Sequence, residues 1–428
     1  MQGVVSAVQR IAIVGSGIAG LGCAHFLHRR SDITVFEAGA HIGGHANTVN
    51  VDDGGQKRPV DTGFMVYNEV TYPHLTRLFE RLGVATRETS MSFSVQHRPS
   101  GIEWNGDRVG TLFAQRRNLL NLRHWRFLLQ LNRFNKEAVT ALDEAEWDGM
   151  TLGEYVDARG YGNDFMERYL IPMSSAVWST PPEKIATFPA MTLLRFWFNH
   201  GFLGLSGQHQ WRTVVGGSRE YVDKLIEPFR DRIYINCPVK SVARVDGGVE
   251  ITIAGAESEP QRFDQVILAA HADQSLRMLA DATALEKELL SPFAYQDNDV
   301  DLHTDRGFMP ETRRAWASWN YRSREDGQAS THYWMNSLQG VSDENDYFVS
   351  LNTRAEIAEG KIRQKFQYEH PLFDMAAREA QERLPELNQG ERTFFCGSYF
   401  RYGFHEDALK SAVDLCATLV KGDPWELD

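Results

Sequence analysis

The pattern of apolar and polar positions changes character several times along the chain, and each change marks an element. Residues Arg10 to Val14 read RIAIV, followed by a glycine-rich turn and the helical stretch IAGLGCAHFLHRR. A second apolar run, ITVFEA, leads into Glu37. Strand, glycine turn, helix and strand in that order predict a βαβ unit with a parallel sheet. Further on, RIYINCPVKSVARVDGGVEITIAG holds two strand-like runs separated by Asp246-Gly247-Gly248, a hairpin signal. Residues Phe263 to Ala270, FDQVILAA, read as a strand buried on both faces. Residues 110–205 are largely helical in character, 295–355 are strand-rich, and KSAVDLCATLV (Lys410 to Val420) predicts an apolar helix near the end. No repeat or low-complexity segment interrupts this order.

The first turn carries chemistry. Gly15, Gly17 and Gly20 form GxGxxG between strand and helix. The first glycine permits the tight turn, the second admits a pyrophosphate to the backbone, and the third lets helix and strand pack closely. The helix N-terminus then faces the phosphate charge. Glu37 ends the second strand, where a carboxylate accepts hydrogen bonds from the ribose hydroxyls of a dinucleotide. The same carboxylate would repel a 2′-phosphate, which weighs against NADP.

After Glu37 come the doublet Gly43-Gly44 in AGAHIGGH and the segment VDTGF, Val60 to Phe64. An acidic residue, a glycine doublet and D-x-G resemble the FAD-binding family that contains glutathione reductase, amine oxidases and carotenoid desaturases. The resemblance implies FAD and an α/β fold. It implies a Rossmann-like FAD-binding domain of the glutathione-reductase type, discontinuous over 1–85, 210–290 and 390–428. An amine-oxidase-like substrate domain of mixed α+β character would take 86–209 and 291–389. It also implies site residues. The doublet would close over the pyrophosphate, and the backbone at Gly63 would run beside the isoalloxazine. The family's arginine after the doublet is His45 here. The TVVGGSREYVDKL segment (Thr213 to Leu225) would precede the second half of the FAD domain, with Val239 against the adenine. Gly397 would stand at the ribityl chain, although Ser398 replaces the family's acidic residue, and Glu406 in the HED before the last helix would be a further cofactor contact.

Composition narrows the setting. A chain of 428 residues suggests two or three domains. A net charge of −12 argues against a nucleic-acid binder. Cys23, Cys237, Cys396 and Cys416 are scattered, which fits free thiols in a reducing, cytoplasmic setting and offers no metal site. The first ten residues lack the pattern of a secretory signal, and no long uncharged apolar run predicts a spanning helix. Contact with a membrane from one side stays open. RRNLLNLRHWRFLLQLNRFNK (Arg116 to Lys136) carries six basic residues and no acidic one, so it reads either as an interfacial helix or as one packed through Glu137, Asp143, Glu144, Glu146 and Asp148. TLLRFWFNHGFLGL (Thr192 to Leu205) is a second candidate for a lipid-facing surface, or else a buried helix.

Longer strings suggest a narrower relationship. VDTGFMVYNEVTYPHL, MSFSV, LHTDRGFMPETRRAWASWNY, YWMNSLQG and YGFHEDALKS are similar to flavin-containing oxidoreductases encoded near, or fused to, cyclopropane-fatty-acyl-phospholipid synthases. They also resemble the desaturase of methylated fatty acyl chains on the route to furan fatty acids. This resemblance implies hydride transfer from a lipid acyl chain to flavin N5, with a functional link to a cyclopropane-type methyltransferase. Two alternatives stay open: amine oxidation, and a flavin-binding partner without turnover. An acyl tunnel could draw on Phe165, Tyr169, Trp178, Phe188, Phe196, Trp197, Phe198, Phe202, Trp316, Trp319, Tyr333 and Trp334. For any one of these aromatics core packing is the commoner role. His303, His332 and His405 are acid–base candidates by residue type, while Tyr67 and Asn336 are candidates by position in the family strings.

Overall fold

The computed structural model describes residues 8–204, 209–255, 259–353 and 356–427. Leu205, the last residue of the second apolar segment, lies outside them.

Five parallel strands form the first sheet, in the order Ile233–Tyr234, Asp32–Phe36, Arg10–Val14, Gln265–Leu268 and Thr393–Phe395. Their apolar runs are explained by burial: Ile11 to Val14 and Val266 to Leu268 are all buried. The helix Ile18–Leu27 lies on this sheet and packs against the helix His405–Val420. A Cβ on Gly22 would meet Leu409 Cδ1 at 3.0 Å and Ala412 Cβ at 3.2 Å, so glycine there sets the close helix–helix approach. The predicted hairpin is present. Val239–Val245 pairs antiparallel with Gly248–Ile253, and Gly247 takes φ +77° in the turn.

A seven-stranded sheet forms the other wall, in the order Ile362–Leu372, Ala294–His303, Phe348–Leu351, Ala329–Trp334, Trp319–Ser323, Phe93–His97 and Ile102–Asn105. All its pairs are antiparallel except Trp319–Ser323 with Phe93–His97. The edge strand Ile362–Leu372 is long yet unsignalled in sequence. Its residues, IRQKFQYEHPL, are mostly half-buried or exposed, so it lacks a hydrophobic run.

Helices Leu122–Ala141, Leu152–Arg159, Ile171–Trp178 and Ala190–Asn199 cover this region. Phe134, Phe165 and Trp197 are fully buried between them, with ring centroids 5.1 and 5.9 Å from Phe134. Burying each side chain contributes roughly 1.5–3 kcal/mol. The basic segment does not run as one helix. A 3-10 turn over Arg116–Leu120 ends at Asn121, whose side chain caps the helix Leu122–Ala141 by accepting from Arg123 and His124 N–H. Among the described residues, no helix is long and apolar enough to cross a membrane, and no cluster of possible metal ligands occurs. All four cysteines are free.

Candidate cofactor and active site

A cavity of about 1090 Å³ lies between the two sheets, slightly above the roughly 300–1,000 Å³ usual for ligand sites. Its floor follows from strand direction. Gly15, Glu37, Ala269 and Gly397 each come directly or almost directly after a strand of the parallel sheet, and all line the cavity. Ligands of open parallel sheets bind at this carboxyl edge.

The dinucleotide end is made of backbone. Gly15 has φ +106°, and a Cβ there would lie 2.7 Å from Ala269 O. A Cβ on Gly20 would lie 2.0 Å from Gly15 O, which only glycine avoids. Gly20 thus shapes the turn from behind, one helical step away from the cavity lining. Gly17 caps the helix Ile18–Leu27 without a side-chain hydrogen bond, and a Cβ there would meet nothing within 4 Å. The helix N-terminus therefore opens into the cavity with no acidic residue in its first turn, which suits a pyrophosphate. The Glu37 carboxylate accepts from Ser16 N–H at 2.9 Å, Ser16 Oγ at 2.5 Å and Gly39 N–H at 2.7 Å, which fixes it on the wall. Val239 lines the same end beside Cys237 and Pro238.

The next part is where Gly43, Gly44, His45 and Gly63 meet. A Cβ on Gly63 would come within 2.3 Å of His45 O, so the D-x-G backbone presses against the doublet loop. Asp61 does not face the cavity. It is buried, and it accepts from Thr48 Oγ1 and from Ser218 N–H and Oγ, which ties this loop to the start of the helix Arg219–Ile226. His45 borders the cavity, its ring 5.0 Å from Tyr368 and 5.4 Å from His370. Loss of solvent around the ring, then the neighbouring imidazoles, hold His45 well below the usual histidine range. Burial thus favours the neutral ring, in contrast to the permanently charged arginine that follows the doublet in the family. His405 also borders the cavity, stacked 3.9 Å from Phe64 and 2.7 Å from the Tyr221 hydroxyl, and desolvation pushes it down to about 3. Gly397 lines the cavity with its N–H donated to Ser411 Oγ.

The far end is made of apolar side chains: Met65, Val66, Tyr72, Met91, Val177, Trp178, Phe196, Phe202, Trp211, Trp319 and Tyr333. Five of these are aromatics named from sequence. Others from that set lie elsewhere. Phe165, Tyr169, Phe188 and Trp197 are core, Phe198 is exposed, and Trp316 and Trp334 stack around Arg313. Tyr72, Trp211 and the strand residues Tyr368 and His370 carry no signal in the sequence.

Five expected residues are placed away from the cavity. Glu406 accepts from His74 and Leu75 N–H, so it caps the helix Pro73–Leu82 instead of meeting a cofactor. His303 and His332 are fully buried in the seven-stranded sheet. Asp305 N–H donates to His303 Nδ1, His303 Nε2 donates to Ser350, Ser350 donates to His332 Nδ1, and His332 Nε2 donates to Ser330. Both rings are thus occupied as neutral links of a buried polar chain. Tyr67 donates to Thr86. Asn336 closes a loop, donating to the Ser342 and Asn345 carbonyls and accepting from Tyr347 N–H.

The sequence pattern of flavin containing amine oxidoreductases matches residues 18–339, more than half of the chain. The chain belongs to this family. FAD is accordingly its cofactor and oxidoreduction its class of reaction. The glycine cradle, the open helix N-terminus and Glu37 are the residues that fit the dinucleotide. Among solved structures, the fold is similar to a CLA-producing fatty acid isomerase from P. acnes, with 16% identity, TM-score 0.68, and 97% of this chain and 99% of that chain covered. It is similar to putrescine oxidase bound to putrescine, with 15% identity, TM-score 0.69 and coverage of 96% and 99%. Cyclohexylamine oxidase from Brevibacterium oxydans IH-35A is also similar, with 14% identity, TM-score 0.69 and coverage of 96% and 100%. At such identities the likeness concerns the fold. No curated protein matches the chain in sequence.

Proposed function

We propose that this flavoenzyme dehydrogenates a neutral, extended acyl chain carried on a phospholipid. The observation that carries this reading is the apolar group of the lining, from Met65 to Tyr333, which contains no carboxylate; the cavity's carboxylates are Glu37, held by Ser16 and Gly39, Glu369, held by His271 and Gln274, and Asp297. An ammonium entering there would lose its hydration without an ionic partner, at a cost of several kcal/mol. An acyl chain would instead gain about 0.8 kcal/mol for each methylene buried. Trp319 and Tyr333 meet edge to face, with 80° between their planes, and so do not form a pair of facing rings around a cation. FAD, when bound, supplies the two-electron acceptor for hydride. In this reading Phe64 and His405 would border the flavin ring, and Trp178, Phe196 and Phe202 would line the path of the acyl chain.

Two further points support the same substrate class. One solved structure of this fold is a fatty acid isomerase. The strings VDTGFMVYNEVTYPHL and YGFHEDALKS resemble oxidoreductases encoded beside cyclopropane-fatty-acyl-phospholipid synthases, which points to a methylated acyl chain.

The test is anaerobic reduction of the bound flavin. Phospholipid with methyl-branched or cyclopropane-containing chains should bleach the oxidised band, while putrescine and simple alkylamines should not. Bleaching by amines alone would assign amine oxidation. A flavin that neither class reduces would favour a partner role without turnover.

A further inference from the structure

The helical side of the molecule carries a surface that packing leaves uncovered. Leu120 is 91% exposed, Leu122 84% and Leu129 66%, with Leu119 and Trp125 nearly half exposed beside them. Single exposed leucines are ordinary, but here five large apolar residues crowd together between Leu119 and Leu129. Asn121 ends the 3-10 turn and caps the helix, so Leu119, Leu120 and Leu122 sit at the corner where the two elements meet. The opposite face of the helix is satisfied by the core through Phe127 and Phe134.

The segment itself carries charge of one sign, although Asp164 and Glu167 face it at Arg123. No acidic residue occurs from Arg108 to Lys136, although the whole chain carries −12. Asp164 neutralises Arg123 and Glu137 neutralises Arg133. Arg116 and Arg117 donate only to backbone carbonyls, and Arg126 has no carboxylate partner among the described residues. Arg116, Arg117 and Arg126 thus carry charge without a carboxylate partner among the described residues, on the same segment as the exposed leucines.

We infer that this corner seats the protein on an anionic phospholipid bilayer, with the leucines at headgroup depth and the arginines among the phosphates. Apolar insertion and electrostatic attraction add in such surface binding. The inference goes beyond the substrate reading and does not depend on it, since a bilayer that offers no substrate should be bound equally.

The test is co-sedimentation of the full-length, FAD-loaded protein at low salt. One set of vesicles is phosphatidylcholine, the other phosphatidylcholine with phosphatidylglycerol. The protein should partition onto the anionic vesicles and be released as salt rises. Leu120→Asp with Leu122→Asp should lower partition about tenfold or more, and Arg126→Glu should remove part of the preference for phosphatidylglycerol. These side chains are exposed, so circular dichroism and the flavin spectrum should match the parent protein. Absence of binding to anionic vesicles, or binding that the double variant leaves unchanged, overturns the inference. Equal binding to both vesicle types overturns the role of charge. A dimer in solution that the double variant abolishes, without vesicle binding, reassigns the corner to a contact between two copies of the chain.

Discussion

At the dinucleotide end of the cavity the surface is backbone, whereas at the far end it is side chain. Gly15, Gly20 and Gly63 have no room for a Cβ, and each contact that excludes one is to a carbonyl oxygen. The shape of that end is therefore fixed by chain geometry, and these three positions admit no side chain. Met91, Trp178, Phe196 and Trp319 come from separate helices, strands and loops and meet only through packing. Hydrophobic side chains of similar size can exchange in such a wall. One end is thus fixed by the backbone, and the other can change shape with its side chains.

Substitutions can abolish that contrast, and the largest effect should come from the backbone end. Gly20→Val puts a branched side chain where even a Cβ would be 2.0 Å from Gly15 O. We expect a loss of about 3 kcal/mol or more in urea unfolding, together with protein that purifies without FAD. Met91→Glu places a charge in the apolar end and should act in the opposite way. The flavin spectrum should persist while anaerobic reduction by an acyl chain slows about a hundredfold. If Met91→Glu lost FAD as well, the two ends would not be separable.

An intermediate effect should come from acidification, through buried histidines and carboxylates spread across the fold. Desolvation holds His97, His200 and His303 at about 4 and His332 well below its usual range. An unfolded histidine takes up a proton below about pH 6.5, so the unfolded state binds more protons and stability falls as pH drops from 6.5 toward 4. Burial raises Glu406 to about 7 and Asp407 to about 6, which works in the other direction. Their stabilisation is full below their unfolded values and is lost as pH rises through 6 and 7. The histidines outnumber them, so the net expectation is lower stability at pH 5 than at pH 7.5, roughly 1–2 kcal/mol per histidine before the carboxylates offset part of it. Urea unfolding at the two pH values measures it. Higher stability at pH 5 would show that the carboxylates dominate.

The smallest effect on folding separates the two ends most cleanly. Gly17→Ala adds a methyl that meets no protein atom within 4 Å. Unfolding should be almost unchanged, while FAD affinity, measured by fluorescence titration of the apoprotein, should weaken about tenfold. Unchanged affinity would mean that the cofactor does not approach the backbone at Gly17.

The same contrast explains what is legible in the sequence. Backbone sites need glycine at fixed spacing, so Gly15, Gly17 and Gly20, with Glu37 after the second strand, stand out by pattern, and Gly43, Gly44 and Gly63 by the family resemblance. All of them line the cavity except Gly20, which packs directly behind Gly15. Sites made by packing leave no spacing rule. Tyr72 sits just before a helix and Trp211 on a short strand. Tyr368 and His370 lie on an edge strand too polar to announce itself. His303, His332, Tyr67 and Asn336 are candidates by residue type or motif position, and neither says whether a polar side chain already has a partner. Their hydrogen bonds show that each does. Glu406 belongs with them, since a carboxylate before a helix looks the same in sequence whether it meets a ligand or a neighbouring helix N-terminus.

The decisive measurement is a single turnover without oxygen, in which FAD-loaded protein is mixed with a methylated phospholipid acyl chain and the product is weighed by mass spectrometry. If the protein is an acyl dehydrogenase, loss of the oxidised-flavin band will be matched, mole for mole, by an acyl product two hydrogens lighter. Bleaching will be slower when the chain is deuterated. An unchanged acyl chain beside a flavin that alkylamines reduce would contradict acyl dehydrogenation.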